Sequence, residues 1–427
     1  MRIEIICTGD EVLSGATVNT NFSFISRRLF DAGLPVHAET TVGDDRNSLL
    51  EAFRVAGERA DAVIVNGGLG PTVDDLSQEV AAQAAGVGLE LNEAWLERMT
   101  NHFRLRSRAM PPNNRKQAVL PVGAEVLDNP VGTACGFALT IGRARFFFTP
   151  GVPREMRRMI DEQVIPRVLA RNGQPGAVLL KRFHSFGLGE SRVDALLAGV
   201  ESLAPEGTVK LGFRAHYPQL ETKLALRGPD RATLQARLAP VEAEVRRRLG
   251  NFILAEDEET LESILLEHLR AERHTLSIVE NYTCGRIAAR IAALEDSASV
   301  LRRSIVAPDE QGLRDALGLA ASGPSNPDSL ACNLAQAAAR NAGTGLALVV
   351  LVEPDTGADR TDFGGQINIA IATPAGVIER ASRLVGGREW LRLGAAEMGL
   401  DCLRRHLLGL PVDERIDFEK LASVASP

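Results

Sequence analysis

The stretch Asn66-Gly67-Gly68-Leu69-Gly70-Pro71-Thr72-Val73-Asp74-Asp75 sets three glycines and two adjacent aspartates just before a segment of helical period that begins near Leu76. Glycines let a backbone turn tightly and bring its N–H groups close to a ligand, and a helix start adds unpaired donors and the positive end of its dipole. That combination suits an anion, phosphate above all. The loop is neither a Walker P-loop nor a G-x-G-x-x-G fingerprint, because the required lysine and third glycine are absent. Two roles stay open for the acids. Thr72-x-x-Asp75 has the pattern of a capping box, in which case both aspartates only stabilise a helix start, by about 0.5 to 2 kcal/mol. Alternatively, Asp74 and Asp75 hold a divalent cation that bridges to phosphoryl oxygens. The seven histidines form no H-E-x-x-H or H-x-H pair, so carboxylates are the available protein ligands and the ion would be a hard one.

The elements that must position this loop read as an alternation of short apolar runs and helical-period segments. Ile3 to Cys7, Val36 to Val42, Ala62 to Val65 and Ala144 to Thr149 are strand-like; Thr20 to Phe30, Asn47 to Gly57 and Leu76 to Ala85 are helix-like. The order βαβαβα predicts a parallel sheet, and Pro150-Gly151-Val152-Pro153 leads into a helix that runs to about Ala170. A polar linker is expected over Arg171 to Gly176. Beyond it, Val178 to Phe186, Gly207 to Phe213 and Leu220 to Leu226 read as strands and Arg231 to Leu249 as a helix, a small α+β module. From Glu258 the segments Leu261 to Ala271, Leu276 to Val279, Leu346 to Val352, Ile367 to Ile371 and Gly387 to Leu408 indicate a third, α/β domain. Ser322 to Asp328 is expected to be a loop within it and Ala422 to Pro427 a frayed tail.

The 427 residues fit about three cores, and 45% hydrophobic with 24% charged residues matches a folded globular chain. A net charge of -7 repels a phosphate backbone, and the short arginine clusters at 157–158 and 246–248 fall in helix-like segments, so no nucleic-acid partner is expected. Five cysteines without a C-x-x-C pair indicate neither a disulfide framework nor a thiolate zinc site and point to a reducing, cytoplasmic setting. No run of eighteen apolar residues occurs, so neither a signal peptide nor a membrane partner is expected.

Several segments together resemble, in order and spacing, the first domain of the CinA (competence/damage-inducible) family, which is related to MoaB/MogA-type molybdopterin-binding domains. They are Gly9-Asp10-Glu11-Val12-Leu13-Ser14-Gly15, Thr20-Asn21, Val42-Gly43-Asp44-Asp45 and Gly67 through Asp75, then Asn113-x-x-Lys116-Gln117-Ala118, Asn129-x-x-Gly132, Gly136-Phe137 and Pro150-Gly151-Val152-Pro153-x-Glu155-Met156. Phe186-Gly187-Leu188-Gly189-Glu190-Ser191 is similar to a motif of the family's middle module. Asn66 departs from the family's usual threonine and Asn19 from a frequent aspartate. The resemblance implies an α/β chain of three domains: a MoaB/MogA-like doubly wound parallel sheet over 1–171, a small α+β middle module over 177–252 and a CinA C-terminal-type α/β domain over 257–415. It also implies a ligand pocket with Gly9, Asp10, Glu11, Asn21, Asp44, Gly67, Gly68, Gly70 and Thr72 around a nucleotide-like small molecule. Asp74 and Asp75 would bind Mg, Mn or Co, and Lys116 would serve as counter-charge to a leaving phosphate. Some family members hydrolyse ADP-ribose, so metal-dependent hydrolysis of ADP-ribose or a similar nucleotide pyrophosphate is the first expectation. Non-catalytic binding of molybdopterin or a nucleotide is the second, and nicotinamide-nucleotide amidohydrolysis the third. A homodimer is expected by the same resemblance.

The family's C-terminal domain resembles nicotinamide-mononucleotide deamidases with a nucleophilic serine in Glu-Ser-Cys/Leu-Thr-Gly-Gly. Here that stretch reads Glu280-Asn281-Tyr282-Thr283-Cys284-Gly285. Asn281 has no hydroxyl with which to form an acyl intermediate. Cys284 replaces a motif glycine and has no histidine near it in sequence, so it reads as a small core residue. A gapless register puts Leu313 at the family's lysine, while Arg388 keeps the arginine of Gly-Asp-Arg. The expectation is a degenerate site of Asn281, Thr283, Cys284, Gly285 and Arg388, without deamidase activity.

Overall fold

The computed structural model describes residues 1–172, 177–205, 207–319 and 327–420. Residues 173–176 of the expected linker, 322–326 of the expected loop and the expected tail from 422 lie outside the described residues. The chain divides into two units, residues 1–179 with 227–234 and residues 180–226 with 235–427.

The first unit carries β1 (Ile3–Thr8), α1 (Asp10–Leu13), α2 (Thr20–Asp31), β2 (Val36–Val42), α3 (Arg46–Arg59), β3 (Ala62–Asn66), α4 (Ser77–Ala85), β4 (Leu89–Leu91), α5 (Glu93–Leu105), β5 (Val119–Pro121), β6 (Glu125–Leu127), β7 (Gly136–Ile141), β8 (Ala144–Thr149), α6 (Pro153–Met159) and α7 (Ile165–Arg171). Its main sheet has the order β2-β1-β3-β8-β7-β6. The pairs β1–β2, β1–β3 and β3–β8 are parallel, whereas β8–β7 and β7–β6 are antiparallel. Three of the five strand pairs in the doubly wound sheet are therefore parallel. The sequence reading missed β7, an apolar run joined to β8 by the two-residue turn Gly142-Arg143, because a tight hairpin merges two buried strands into what reads as one.

Helices cover both faces, as a buried parallel sheet requires. Asn19 caps α2, accepting from Phe22 N–H at 2.9 Å, and Ile25 and Leu29, four apart, turn inward against Ile3, Ile5 and Phe147. Asp45 caps α3 through Ser48 N–H at 2.8 Å, and Leu49, Phe53 and Ala56 bury against the opposite face. There Phe137 stacks on Phe148 at 4.3 Å, and Phe53 meets Phe148 edge-on at 5.5 Å.

The second unit contains the four-stranded sheet β10-β11-β9-β12, built from β9 (Ala177–Phe186), β10 (Val209–His216), β11 (Gln219–Gly228) and β12 (Ile253–Glu256) with α8 (Glu190–Leu197) and α9 (Arg231–Leu249). Arg246, Arg247 and Arg248 on α9 pair with Glu242, Glu244 and Glu256, so that cluster is an ion-paired helix face. A five-stranded sheet, β14-β13-β15-β16-β17, follows, with β13 (Leu276–Glu280), β14 (Leu301–Val306), β15 (Leu346–Pro354), β16 (Gly364–Thr373) and β17 (Gly376–Val385). It is parallel over β14, β13 and β15 and antiparallel thereafter. Around it lie α10 (Leu261–Ala271), α11 (Arg286–Ala292), α12 (Glu310–Leu317), α13 (Pro327–Ala342) and α14 (Arg388–Leu407), so Pro327 and Asp328 of the expected loop open a helix.

Helix α14 is buried over most of its length and carries charges inside: Asp401 pairs with Arg404 and Arg405, each at 2.7 Å. The Arg404 guanidinium also donates to the carbonyl of Asn251 at 2.7 Å. Such a pair is costly to break because one partner is left charged and unpaired.

Replacing Phe137 by Ala should remove the stacked contact and leave a cavity in the first unit's core. The expected loss is about 3 to 5 kcal/mol, read by equilibrium denaturation followed through the fluorescence of Trp95, which shares that core.

Candidate functional site

Strands β1, β3 and β8 end side by side at Thr8, Asn66 and Thr149, with β1 flanked by β2 and β3. The carboxyl ends of parallel strands at such a crossover form the crevice where α/β sheets take ligands. A cavity of about 470 Å3 opens there. Of the residues expected from the sequence, Gly9, Glu11, Asp44, Gly67, Gly68, Gly70, Asp74 and Asp75 line it; Asp10, Asn21, Thr72 and Lys116 stand behind it.

The glycines are explained by close approach. At Gly67, with φ +115°, a Cβ would overlap the Thr8 hydroxyl; at Gly68, with φ +67°, it would overlap the Ser77 hydroxyl; at Gly70 it would overlap the Asp75 carboxylate. Ser77 Oγ donates to the carbonyl of Gly67 at 3.0 Å, tying the start of α4 under the loop.

The acid pair behaves as neither expectation had it. Helix α4 begins after Leu76 without a side-chain cap, so Thr72 and Asp75 do not form a capping box. Instead Asp75 Oδ2 accepts from the N–H of Thr72 at 2.8 Å and from its hydroxyl, which closes the loop on itself. Lys116 Nζ donates to the carbonyl of Thr72 at 3.0 Å and lies 3.7 Å from Glu79, so it braces the loop from outside and is no free counter-charge for phosphate. Among the described residues no three His, Cys, Asp or Glu side chains come close enough together to hold a metal ion. Of the two acids expected to hold Mg, Mn or Co, Asp75 is thus already engaged with Thr72, while Asp74 lines the cavity.

Asn21 acts as a brace. Its Nδ2 donates to Asn66 Oδ1 at 2.9 Å and to the carbonyl of Gly151 at 2.7 Å, while Asn66 Nδ2 donates to the carbonyl of Pro150 at 2.7 Å. Asp10 and Asp44 exchange backbone bonds, each carboxylate accepting the other's N–H, at 3.1 and 3.2 Å. Burial raises the carboxyl of Asp44 above the usual carboxylate range against the Asp10 N–H bond, and the charges of Asp10, Glu11 and Asp74 push it further.

Several lining residues carried no assigned role in the sequence although they sit in the family-like segments. Gln117 donates to the carbonyl of Leu69 at 3.1 Å and accepts from Asn114 and Thr133. Asn129, fully buried, donates to Glu155 at 2.7 Å. Thr8 lines the same cavity, and its Oγ1 is buried without a hydrogen-bond partner. The lining thus carries Glu11, Asp44, Asp74, Asp75 and Glu155 and, among the described residues, no lysine or arginine. It is rich in acceptors, which a bare phosphate would not favour.

At the end of β13, in the second unit, Asn281 pairs its carboxamide with the backbone of Val352, donating to the carbonyl at 3.0 Å and accepting the N–H at 2.9 Å. Glu280 is buried and accepts from Thr283 Oγ1 at 2.6 Å and from the N–H groups of Ile287 and Ala288 that open α11. Cys284 and Gly285 adopt φ of +57° and +81°, the left-handed region. The family's glycine at 284 is thus a conformational requirement that the cysteine meets under strain. Cys284 is exposed, which corrects its reading as a core residue. Leu313 is buried apolar core. Arg388 stacks over Phe363 at 4.3 Å, and its guanidinium donates to the carbonyl of Gly357 at 2.7 Å.

Three family models match the chain: "Probable molybdopterin binding domain" over residues 4–170, "Damage-inducible protein CinA KH domain" over 181–255 and "CinA C-terminal domain" over 258–407. A CinA-like protein of Shewanella sediminis is 37% identical over 416 residues, which cover 96% of each chain. The chain belongs to the CinA family. A Shewanella oneidensis relative named nicotinamide-nucleotide amidohydrolase PncC is 36% identical over 416 residues, again 96% of each chain. Among solved structures, the CinA protein of Thermoplasma acidophilum shares 35% identity over 40% of this chain and 96% of its own, with a TM-score of 0.35. These findings correct two expectations. ADP-ribose hydrolysis does not stand as the activity, since a full-length relative with a named reaction is an amidohydrolase and Asp75 is engaged within its own loop. The expectation of a silent C-terminal domain rested on the substitutions at Asn281, Cys284 and Leu313, whereas the family match extends over the whole domain and a full-length relative is named for the amidohydrolase reaction. No helix among the described residues is long and apolar enough to cross a membrane.

Replacing Asp44 by Asn should raise the thermal midpoint at neutral pH. The raised carboxyl destabilises the fold where it must ionise, so the penalty is complete above the folded value and fades as pH falls toward the ordinary 3.8. The gain should vanish below about pH 4 when melting is followed from pH 3 to 8.

Proposed function

We propose that this CinA-family protein is an amidohydrolase acting on nicotinamide nucleotides through its C-terminal domain. The observation that carries the reading is the full-length likeness to the relative named for that reaction. Amide hydrolysis adds water across the C–N bond, leaving a carboxylate and ammonium, the acid's proton passing to the departing ammonia. With no hydroxyl at Asn281, the attacking atom is either the exposed Cys284 thiol or a water molecule. Arg388 offers a cation for a nucleotide phosphate.

A second reading concerns the first unit and is favoured by its acceptor-rich cavity with the unpartnered Thr8 hydroxyl. Carboxylates suit the N–H edge of a pterin, in keeping with the molybdopterin-binding family model. Trp95 Nε1 donates to the carbonyl of Thr133, a lining residue, so a pterin entering the cavity should perturb its emission.

The test is ammonia release from nicotinamide mononucleotide by the full chain, beside a protein-free control. Release is expected above that control, with Arg388→Ala raising KM about tenfold. Cys284→Ala abolishes turnover if the thiol attacks and spares it if water does. No ammonia from the native protein removes the amidohydrolase reading.

A further inference from the structure

The turn between β10 and β11 reaches the region around Arg388. Tyr217 stacks its ring on Trp390 with centroids 3.8 Å apart and planes at 21°, and its hydroxyl donates to the carbonyl of Trp390 at 3.1 Å. The contact is close: a Cβ on Gly394, one turn further along α14, would overlap the Tyr217 hydroxyl. Trp390 also lies against Gly386, where a Cβ would come within 3.1 Å of the indole ring. Gly386 and Gly387 take φ of +138° and +101°, and Arg388 follows them directly.

Two residues beyond Tyr217, Gln219 Nε2 donates to Glu397 Oε1 at 2.6 Å, and the other oxygen of Glu397 accepts from Arg290 at 2.7 Å. Arg290 sits on α11, the helix that leaves the Glu280–Gly285 segment. One hairpin of the middle module therefore holds both arms around the Asn281 region: the start of α14 through a stacked ring and α11 through a carboxylate bridge.

We infer that Tyr217 is a positioning residue for Arg388, acting through Trp390 and the Gly386-Gly387 turn, so that the middle module sets how the C-terminal domain grips its nucleotide. The kinetic consequence rests on the amidohydrolase reading; the structural consequence does not. The stack immobilises the residue two positions after Arg388; the glycine pair before Arg388 is otherwise tied by its two N–H groups to the carbonyl of Phe363, each at 3.0 Å, so loss of the ring removes one of two restraints and loosens the turn.

The experiment compares full-length native protein, Tyr217→Phe and Tyr217→Ala in two measurements. Amide hydrogen exchange is followed at residues 386–392, with α10 as an internal reference, and KM and kcat are determined for nicotinamide mononucleotide. Tyr217→Ala should speed exchange at 386–392 by about tenfold or more with α10 unchanged. It should raise KM about tenfold with kcat within about threefold. Tyr217→Phe, which keeps the stacked ring, should restore most of both. Native exchange at 386–392 and native KM in Tyr217→Ala overturn the inference, as does exchange that rises equally in α10. If the native protein turns over no nucleotide, the amidohydrolase reading fails and the exchange measurement alone decides whether Tyr217 fixes the turn.

Discussion

Parallel pairing of β1 with β3 brings Thr8 and Gly67 together with no space for a Cβ between them, and the first unit's cavity follows from that constraint. Gly67 leaves the strand at a positive φ while its N–H reaches the carbonyl of Thr149, which ties β3 to the end of β8. Gly68 turns again, and Ser77 slips beneath to hold the start of α4. The remainder of the loop is closed by Asp75 against Thr72 and braced by Lys116. A larger residue at Gly67 would move the strand end, the helix start and the cavity wall together.

The parallel core was readable from the amino-acid order because apolar runs and helical stripes have distinct periods. The α2 and α3 stripes, Ile25 with Leu29 and Leu49 with Phe53, fall inside the segments assigned from spacing. The cavity was readable in part: glycine positions are dictated locally, and each proved to sit against a neighbouring group. The capping role of Thr72 with Asp75 and the free charge of Lys116 were misread because spacing reports a side chain's type and place along the chain but not its partner. Nothing in Thr72-x-x-Asp75 reveals that the carboxylate turns back on the loop. Gln117, Thr133 and Glu155 come from three separated segments, and only folding shows that they share one wall.

In the C-terminal domain, Asn281 looks from the sequence like a lost hydroxyl. In the fold its carboxamide mimics a peptide group, offering one donor and one acceptor to Val352 and continuing the β13–β15 pairing past the end of the strand. The substitution exchanges a reactive group for a structural one while leaving the Glu280 cage around the start of α11 complete. The neighbouring Cys284 keeps a left-handed backbone and exposes its sulfur.

The buried charges of α14 bear on how such a chain can be inherited. Asp401 and Glu414 together neutralise Arg404 and Arg405 within the C-terminal domain, but the guanidinium of Arg404 finds its further acceptor at the carbonyl of Asn251, beside β12 of the middle module. A backbone carbonyl is supplied by any residue, yet it must stand at the right place, so what has to be passed on is a spatial relation rather than a side chain. Recombination that exchanged the C-terminal domain for one lacking this register would leave a buried N–H donor without its acceptor. The middle and C-terminal segments are accordingly a single heritable piece, even though each can be recognised separately in the amino-acid sequence.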